Sequence, residues 1–443
     1  MRKLEHRAVL LLILALILFS GLAFFVFRYV TDGTTWAMKY YNSHIYSSGH
    51  LATGRVYDRN EVLMADNTGK KIRYVDDTVI RMATAHAVGD GYGFVSTSAE
   101  SAFRDKMVGY NLVTGTYSVT GKGNSVHLSI DSDACKAAYN ALGSRNGLVA
   151  VYNYKTGQVV CMTSTPTFDP SDPPASDKAK TGTFMNKFLS GNLTPGSIFK
   201  LVTSAAAIEK LSNKELKKFR FKCTGVHEID GVKIRCAEVH GEVDFNAALA
   251  KSCNGAFAEI SRKVGARSLT AYTRKCGLET TYDMDGVYNV KGSFEFPSND
   301  EVSTAWAGIG QWKDYLNPCS MLVYMGAIAN DGESVVPRLL STDTTVRHTK
   351  RMIKADTAKR LRKMMKNNVK VSYGEGNYPG LDIYAKSGTA EVEGQRPNAW
   401  FAGFIKNKKY PYAFIVCVED SGFGAQVAGP VANRVLQYIV YGQ

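Results

Sequence analysis

The sequence has little that would mark a nucleic-acid-binding protein. It contains no zinc-finger spacing, no RNA-binding signature and no basic zipper. Its formal net charge of +14 over 443 residues nevertheless favours anionic partners. Anionic lipid and acidic wall polymers are therefore the expected partners of this basic surface, and nucleic acid is not.

The basic run Lys359–Lys370 could suggest a membrane or nucleic-acid patch. However, apolar residues recur between its charges at helical spacing, namely Leu361, Met364, Met365 and Val369. This periodicity predicts an amphipathic helix docked on a core.

Internal repeats and low-complexity tracts are also absent. The length is sufficient for two or three domains, each with its own buried core. Apolar residues make up 45% of the chain, which is ordinary for a globular protein.

Cysteines are few, and their spread matches neither a disulfide-dense miniprotein nor a zinc ribbon. Several of the eight lie in apolar runs, where we expect small core residues. Cys223 and Cys236 flank a turn-like segment and are the one local pair that suits a disulfide, so a bridge and two free thiols both stay open.

His240 has no Glu-x-x-His partner and no carboxylate cluster around it. We expect it to be a hydrogen-bonded structural histidine, and we predict no metal site.

Only one apolar run, Ala8–Phe27, is long enough to span a bilayer. Basic residues precede it, and no A-x-A-like cleavage site follows it. We predict an uncleaved anchor over residues 8–28, with residues 1–7 in the cytoplasm and the rest of the chain exported.

Residues 32–145 are predicted to form a small, mostly β domain. The stretch GRVYDRNEVLM, residues 54–64, indicates two short extended pieces around a polar turn. There is little helical periodicity before SDACKAAYNALGS, which predicts a helix capped by Ser132 or Asp133 and ending near Gly143.

Residues 146–443 are predicted to form a second, α+β domain. GLVAVYNYKTGQVVCMTS indicates two strands, AWFAGFI and YAFIVCVED indicate two more, and helical patterns dominate between about 243 and 370. Strands at both ends predict a sheet closed by bringing the two ends of the domain together. A long apolar helix is predicted to begin at Thr194-Pro195.

Three short motifs in this second domain carry the chemistry. Ser197 and Lys200 form an S-x-x-K pair in LTPGSIFK, Ser252 and Asn254 form an S-x-N pair in KSCN, and Lys386 opens KSGT. Alone, Ser197 would be interpreted as a first-turn serine that satisfies helix N–H groups. All three motifs in this order, at a helix start, a break between helices and a strand, match the set found in β-lactamases and penicillin-binding proteins.

Each motif residue meets a chemical need. Because residues three apart lie on one helical face, Lys200 can reach the Ser197 hydroxyl and act as its base. Lysine is a base only when neutral, and burial and the charge of Lys386 both lower its pKa. Ser252 can relay a proton to the leaving amine, and Asn254 can hold a substrate amide and Lys200.

The strand of the third motif suits substrate binding. Lys386 supplies a positive charge for a carboxylate, and the predicted substrate-binding residues are Ser387, Gly388 and Thr389. The backbone N–H groups of Ser197 and Thr389 are the predicted oxyanion donors.

At this point the chain resembles the class B penicillin-binding proteins, membrane-anchored D,D-transpeptidases that cross-link peptidoglycan. The resemblance includes the anchor, the GRVYDRNE stretch and the Gly-x-Gly-Gln step at residues 308–311. Cys223, Cys236 and His240 resemble features of some Gram-positive members. Glu61 stands where the family usually has glycine, and Ser387 replaces the commoner threonine of the third motif.

The resemblance implies a five-stranded antiparallel sheet packed between helices, with residues 32–145 as a pedestal domain. It implies a stem peptide or lipid-linked precursor as substrate, β-lactams as acylating inhibitors, and neither a metal nor an organic cofactor. It also implies a polytopic glycan polymerase as partner and a single-pass membrane protein with its catalytic domain outside the cytoplasm.

Other functions are weaker matches. A β-lactamase of class A would need a Glu-x-x-Leu-Asn pattern after Asn254, and none is present. A β-lactam sensor would need a cytoplasmic signalling domain, which residues 1–7 cannot form. A D,D-carboxypeptidase stays open because water can replace the acceptor amine, and a non-catalytic scaffold is disfavoured because every key polar residue is present.

Overall fold

The computed structural model describes residues 2–37, 53–69, 71–108 and 123–442. Its strands are β1 Arg55–Tyr57, β2 Leu63–Asp66, β3 Arg73–Tyr74, β4 Val126–His127, β5 Gly147–Asn153, β6 Val159–Thr165, β7 Phe221–Cys223, β8 Val226–Ile229, β9 Val232–Arg235, β10 Gly241–Val243, β11 Asp283–Met284, β12 Val287–Tyr288, β13 Ile383–Ala390, β14 Asn398–Ile405 and β15 Tyr412–Val418. Its helices are α1 Arg2–Ala37, α2 Thr78–Val88, α3 Ala99–Ala102, α4 Arg104–Val108, α5 Ser132–Leu142, α6 Lys187–Ser190, α7 Lys200–Lys210, α8 Asn213–Lys218, α9 Phe245–Ala250, α10 Asn254–Val264, α11 Ala266–Lys275, α12 Glu301–Gly308, α13 Pro318–Ala329, α14 Ala355–Asn368 and α15 Gly424–Tyr441.

A five-stranded antiparallel sheet forms the centre of the molecule, in the order β13-β14-β15-β5-β6. Strand β15 pairs with β5, so the sheet closes by joining the two ends of the predicted domain, as expected. Every residue of β14 and β15 is buried. Helices therefore cover both faces of the sheet, and the α+β fold class is confirmed.

The four sequence stretches assigned to strands of this sheet are confirmed as β5, β6, β14 and β15. The basic amphipathic helix is confirmed as α14, whose Leu361, Met364 and Met365 are buried while its charges face outward. It packs against β13, the edge strand that carries the third motif.

A four-stranded sheet with the order β3-β2-β1-β4 lies nearer the N-terminus. The predicted pair of short strands around the DRNE turn is confirmed, because β1 and β2 pair antiparallel. Glu61, in that turn, has a φ of 62°. A left-handed backbone favours glycine, which is the residue that the resembling family usually has there.

Two local predictions in this region are wrong. Helix α2 lies where little helical periodicity was seen, because its residues from Ala83 to Val88 are all buried and leave no polar stripe. Helix α5 is capped by Asp131, whose side chain accepts from the N–H groups of Asp133 and Ala134, and not by Ser132 or Asp133.

Helix α1 contains a candidate membrane span, Leu4–Asp32, whose most apolar 18-residue window has a mean hydropathy of 3.0. No residue of this window is buried, and the helix is long enough to cross a membrane. The domain boundary at residue 145 remains a prediction. Helix α5, which ends just before it, packs on β6 and α15. Residues 38–52, 70 and 109–122 of the predicted pedestal, with Met1 of the predicted tail and Gln443, lie outside the described residues.

Candidate active site

Ser197 lies in a short 3-10 turn, Gly196–Ile198, and the α-helix begins only at Lys200. The predicted helix start at Thr194-Pro195 is therefore wrong. Gly196 has a φ of 54°, and a Cβ there would lie 2.7 Å from the carbonyl oxygen of Thr389. Glycine thus permits the close approach that seats the Ser197 turn against strand β13.

Lys200 is fully buried and its amine lies at the centre of the site. Its Nζ is 3.0 Å from Ser197 Oγ, 2.6 Å from Asn254 Oδ1 and 3.3 Å from Ser252 Oγ. Burial lowers the pKa of Lys200 to about 8, because an apolar surrounding disfavours the charged amine. A substantial neutral fraction is therefore available near neutral pH.

Ser252 lies in the turn between α9 and α10, as the break between helices predicted. It has a φ of 54°, a strained conformation for a residue with a side chain. Contacts to both lysines hold it: its carbonyl accepts from Lys200 Nζ at 2.8 Å, and its hydroxyl lies 3.0 Å from Lys386 Nζ. The hydroxyl is thus placed to pass a proton between lysine and substrate.

Asn254 begins α10 and faces the same cluster. While its Oδ1 accepts from Lys200, its Nδ2 donates to the carbonyl of Arg235 at 2.7 Å. These two bonds fix the orientation of the amide, so the carbonyl points at the lysine.

Lys386 lies on edge strand β13 and is also fully buried. Its amine donates to the carbonyl of Ser387 at 2.7 Å. Burial and the nearby charge of Lys200 lower the pKa of Lys386. The two lysines therefore disfavour being charged together, and each increases the other's tendency to release a proton.

Ser387 and Thr389 line the cleft, whereas Gly388 packs beneath it against Ile198 and Trp400. The hydroxyl of Thr389 accepts from the N–H of Gly424 at 3.4 Å. The three predicted motifs thus meet at one place, and all three contribute residues that line the same cleft: Ser197, Ser252, Asn254, Ser387 and Thr389.

The cleft has a volume of about 650 Å³ and is open to solvent. Sequence reasoning missed several of its lining residues, which are Arg235, Ala237, Glu238, Val371, Ser372 and Tyr373. Tyr373 is the one most closely tied to a motif, since its hydroxyl accepts from the N–H of Ser387 at 2.8 Å. No local pattern marks it, because only folding brings the turn after α14, Val369–Tyr373, beside β13.

The Gly-x-Gly-Gln step also belongs to this site. Gly196 N–H donates to the carbonyl of Gly310 at 2.8 Å, and a Cβ on Gly310 would lie 2.0 Å from the carbonyl oxygen of Gly196. The step therefore supports the turn that carries the nucleophile.

All eight cysteines lie in the described part of the chain, and all have free sulfurs. Cys223 and Cys236 are therefore not bridged in this structure. Cys236 instead faces Cys253, at 3.8 Å between sulfurs, and Cys223 faces His240.

A serine beside a buried, proton-releasing lysine, with a second serine and lysine opposite, defines a serine acyl-transfer enzyme of the S-x-x-K type. Residues 147–437 match the family model of the penicillin-binding protein transpeptidase domain. This match covers more than half of the chain, and the protein belongs to that family.

Two curated relatives illustrate the likeness. The peptidoglycan D,D-transpeptidase PbpA of Mycobacterium tuberculosis is 25% identical over 371 residues, covering 73% of this chain and 74% of the relative. Stage V sporulation protein D of Bacillus subtilis is 26% identical over 323 residues, covering 66% of this chain and 49% of the relative.

The fold is that of solved penicillin-binding proteins. The ceftriaxone acyl-enzyme complex of penicillin-binding protein A from M. tuberculosis superimposes with a TM-score of 0.77 at 22% identity, over 88% of this chain and 98% of the other.

Proposed function

We propose that this chain is a peptidoglycan D,D-transpeptidase that joins neighbouring stem peptides of the cell wall through an acyl-enzyme on Ser197. The observation that carries the proposal is one buried amine, Lys200 Nζ, within 3.3 Å of Ser197 Oγ, Ser252 Oγ and Asn254 Oδ1. Family membership and relatives named as peptidoglycan D,D-transpeptidases support it.

In the acylation step, neutral Lys200 takes the hydroxyl proton of Ser197 while Oγ attacks a carbonyl carbon. The attacked carbonyl is that of the penultimate residue in a stem peptide ending in D-Ala-D-Ala. The backbone N–H groups of Ser197 and Thr389 donate to the oxygen that becomes negative.

The terminal D-Ala leaves as an amine once the carbon–nitrogen bond breaks. Its nitrogen receives the proton from Lys200 through the hydroxyl of Ser252, which lies 3.3 Å from Lys200 Nζ and 3.0 Å from Lys386 Nζ. The amine of a neighbouring stem then attacks the ester, and its proton returns to Ser197 Oγ by way of Lys200.

Substrate binding uses the free edge of the central sheet. Strand β13 is the edge strand, so an extended peptide can lie along it and pair with its backbone. Charged Lys386 and the hydroxyls of Ser387 and Thr389 suit the terminal carboxylate of the stem. A β-lactam carries the same carboxylate and a reactive amide, so it acylates Ser197 and stays bound.

The proposal extends to location and partner. Helix α1 anchors the chain in the cell membrane with residues 1–7 in the cytoplasm and the cleft outside. A polytopic glycan polymerase, contacted through the anchor and residues 32–145, supplies new glycan strands. The exposed apolar surface of α1 supports the anchor.

The test is covalent labelling of the purified chain with a fluorescent penicillin. Wild type and the control Ser144→Ala, at an exposed turn, should label alike. Ser197→Ala should not label, and Lys200→Arg should label about 10²- to 10⁴-fold more slowly because a guanidinium cannot act as the base.

Labelling of Ser197→Ala would disprove the nucleophile, and near-normal labelling of Lys200→Arg would disprove the base. A second arm offers a stem-peptide donor with and without an acceptor amine. Transfer to the acceptor is expected, whereas hydrolysis alone in the presence of acceptor would identify a D,D-carboxypeptidase.

A further inference from the structure

Three cysteines and a histidine gather at the side of the catalytic cleft, and Cys236 and His240 are among the residues that line it. The potential ligand atoms of Cys223, Cys236, His240 and Cys253 all lie within 4.8 Å of one another. We propose that these four residues bind a structural Zn²⁺ ion. No sequence motif marks this site, because the ligands come from three segments whose spacing matches no zinc motif.

Two of the six distances between ligand atoms equal or approach the edges of a tetrahedral zinc site, and all six are at most 4.8 Å. Zinc bonds of about 2.3 Å to sulfur and about 2.0 Å to nitrogen give tetrahedral edges of about 3.8 Å between two sulfurs and about 3.6 Å between sulfur and nitrogen. Cys236 Sγ and Cys253 Sγ are 3.8 Å apart, and Cys223 Sγ is 3.4 Å from His240 Nδ1.

The donor set favours zinc among the common metals. Three thiolates and one imidazole are typical of closed structural zinc sites, and hard oxygen-binding cations such as Mg²⁺ and Ca²⁺ disfavour sulfur. Cys223, Cys253 and His240 are buried, and Cys236 is half-buried. His240 presents Nδ1 to the cluster, while its Nε2 faces Glu238 Oε1 at 3.8 Å on the other side.

The segment that supplies most ligands has little core of its own. Residues 221–243 form two separate two-stranded ribbons, β7 with β10 and β8 with β9. Three of the four valines in this segment are exposed, including Val239 at 68%, and Val243 is the buried one. Isolated two-stranded ribbons are marginally stable in water, so a metal that ties them together would stabilise this segment substantially.

The cluster also joins these ribbons to the catalytic motif. Cys253 lies between Ser252 and Asn254, and the N–H of Asn254 donates to Cys236 Sγ at 3.2 Å. The strained φ of Ser252 lies one residue from a ligand. A metal at this place would fix both polar residues of the second motif, with no direct part in the reaction.

The experiment is metal analysis of the full-length chain, purified in detergent, reconstituted with Zn²⁺ under reducing conditions and dialysed. Wild type should retain about one zinc per chain, and Cys223→Ser, Cys236→Ala and His240→Ala less than about a tenth of that. Cys417→Ala, a buried cysteine of β15 outside the cluster, should retain zinc as wild type does.

Two further measurements separate ligation from packing. His240→Cys should keep zinc at the wild-type level, because a fourth thiolate can replace the imidazole. Co²⁺ added to metal-free wild type should give the intense thiolate-to-metal absorption of a tetrahedral site, a readout that does not depend on any variant folding.

Several results would overturn the proposal. These are no zinc in reconstituted wild type, full zinc in Cys236→Ala or His240→Ala, and another metal held in its place. A Cys223–Cys236 disulfide found by mass spectrometry in the folded wild-type chain would also overturn it. Because the readout is metal content, failure here leaves the labelling of Ser197 by penicillin untouched.

Discussion

At the scale of single residues, the site depends on two buried lysines that share one serine hydroxyl. Ser252 Oγ lies within 3.3 Å of both Lys200 Nζ and Lys386 Nζ. Burial lowers the pKa of both amines, and the charge of Lys200 lowers the pKa of Lys386 further. The reactive state of the enzyme is therefore the one in which Lys200 has lost its proton.

The acylation rate should consequently depend on pH through Lys200. Its pKa is lowered to about 8, so the neutral base accumulates as the pH rises through that value. Burial is the cause that lowers this pKa, and the sulfurs of Cys236 and Cys253 oppose it by raising the pKa. Acylation by a β-lactam, followed by stopped-flow fluorescence, should rise about tenfold or more from about pH 6 to about pH 9. A flat profile would contradict the role of Lys200 as base.

At the scale of elements, the site forms where three of them meet: the Ser197 turn, the turn between α9 and α10, and edge strand β13. Two glycines make this meeting possible. A Cβ on Gly196 would press on Thr389, and one on Gly310 would press on Gly196. The position of the nucleophile is thus set by backbone packing and not by the helix that follows it.

Gly310→Ala should therefore displace the Ser197 turn. The new Cβ would lie 2.0 Å from the Gly196 carbonyl oxygen, so acylation should slow by at least about tenfold and stability fall by about 1–3 kcal/mol. Gly286→Ala is the matched control, since Gly286 also has a positive φ, of 100°, but has no atom within 4 Å of the added Cβ. Penicillin labelling rates and thermal unfolding measure the two effects. Equal acylation rates in both variants would contradict the packing argument.

At the scale of the whole molecule, an exposed apolar helix is joined to a basic folded body. The chain has a net charge of +14, and no residue is buried in the most apolar 18-residue window of helix α1. Such a helix is insoluble alone in water, whereas the body buries its apolar residues in one continuous core that runs from Val56 to Leu436. Membrane attachment and catalysis should therefore be separable.

Deleting residues 2–32 should release the protein from membranes while leaving penicillin labelling within about twofold, because no described residue of the cleft comes from α1. Fractionation with an alkaline carbonate wash measures attachment. If the full chain were extracted by carbonate, or if the truncated chain still sedimented with membranes, the proposal that membrane attachment depends on α1 would fail.

Much of the fold was predictable because its signals are local. The strands of the central sheet are continuous apolar runs, and α14 has a clear amphipathic period. Helix α2 escaped prediction because it is buried on nearly all sides, and the late start of α7 escaped because only the contact of Gly196 with Thr389 holds the preceding turn out of the helix.

The sequence alone determined which residues could react, since the order and spacing of three motifs name Ser197, Lys200, Ser252, Asn254 and Lys386 without coordinates. It also identified the candidate membrane-spanning helix, because an uncharged run of twenty mostly apolar residues needs no partner to be recognised. Only the tertiary structure decided that Tyr373 contacts the third motif. It alone also brings Cys223, Cys236 and His240 together with Cys253, which lies within the second motif. These contacts join segments that are distant in the chain. They form only when the chain folds, so no local sequence pattern can specify them.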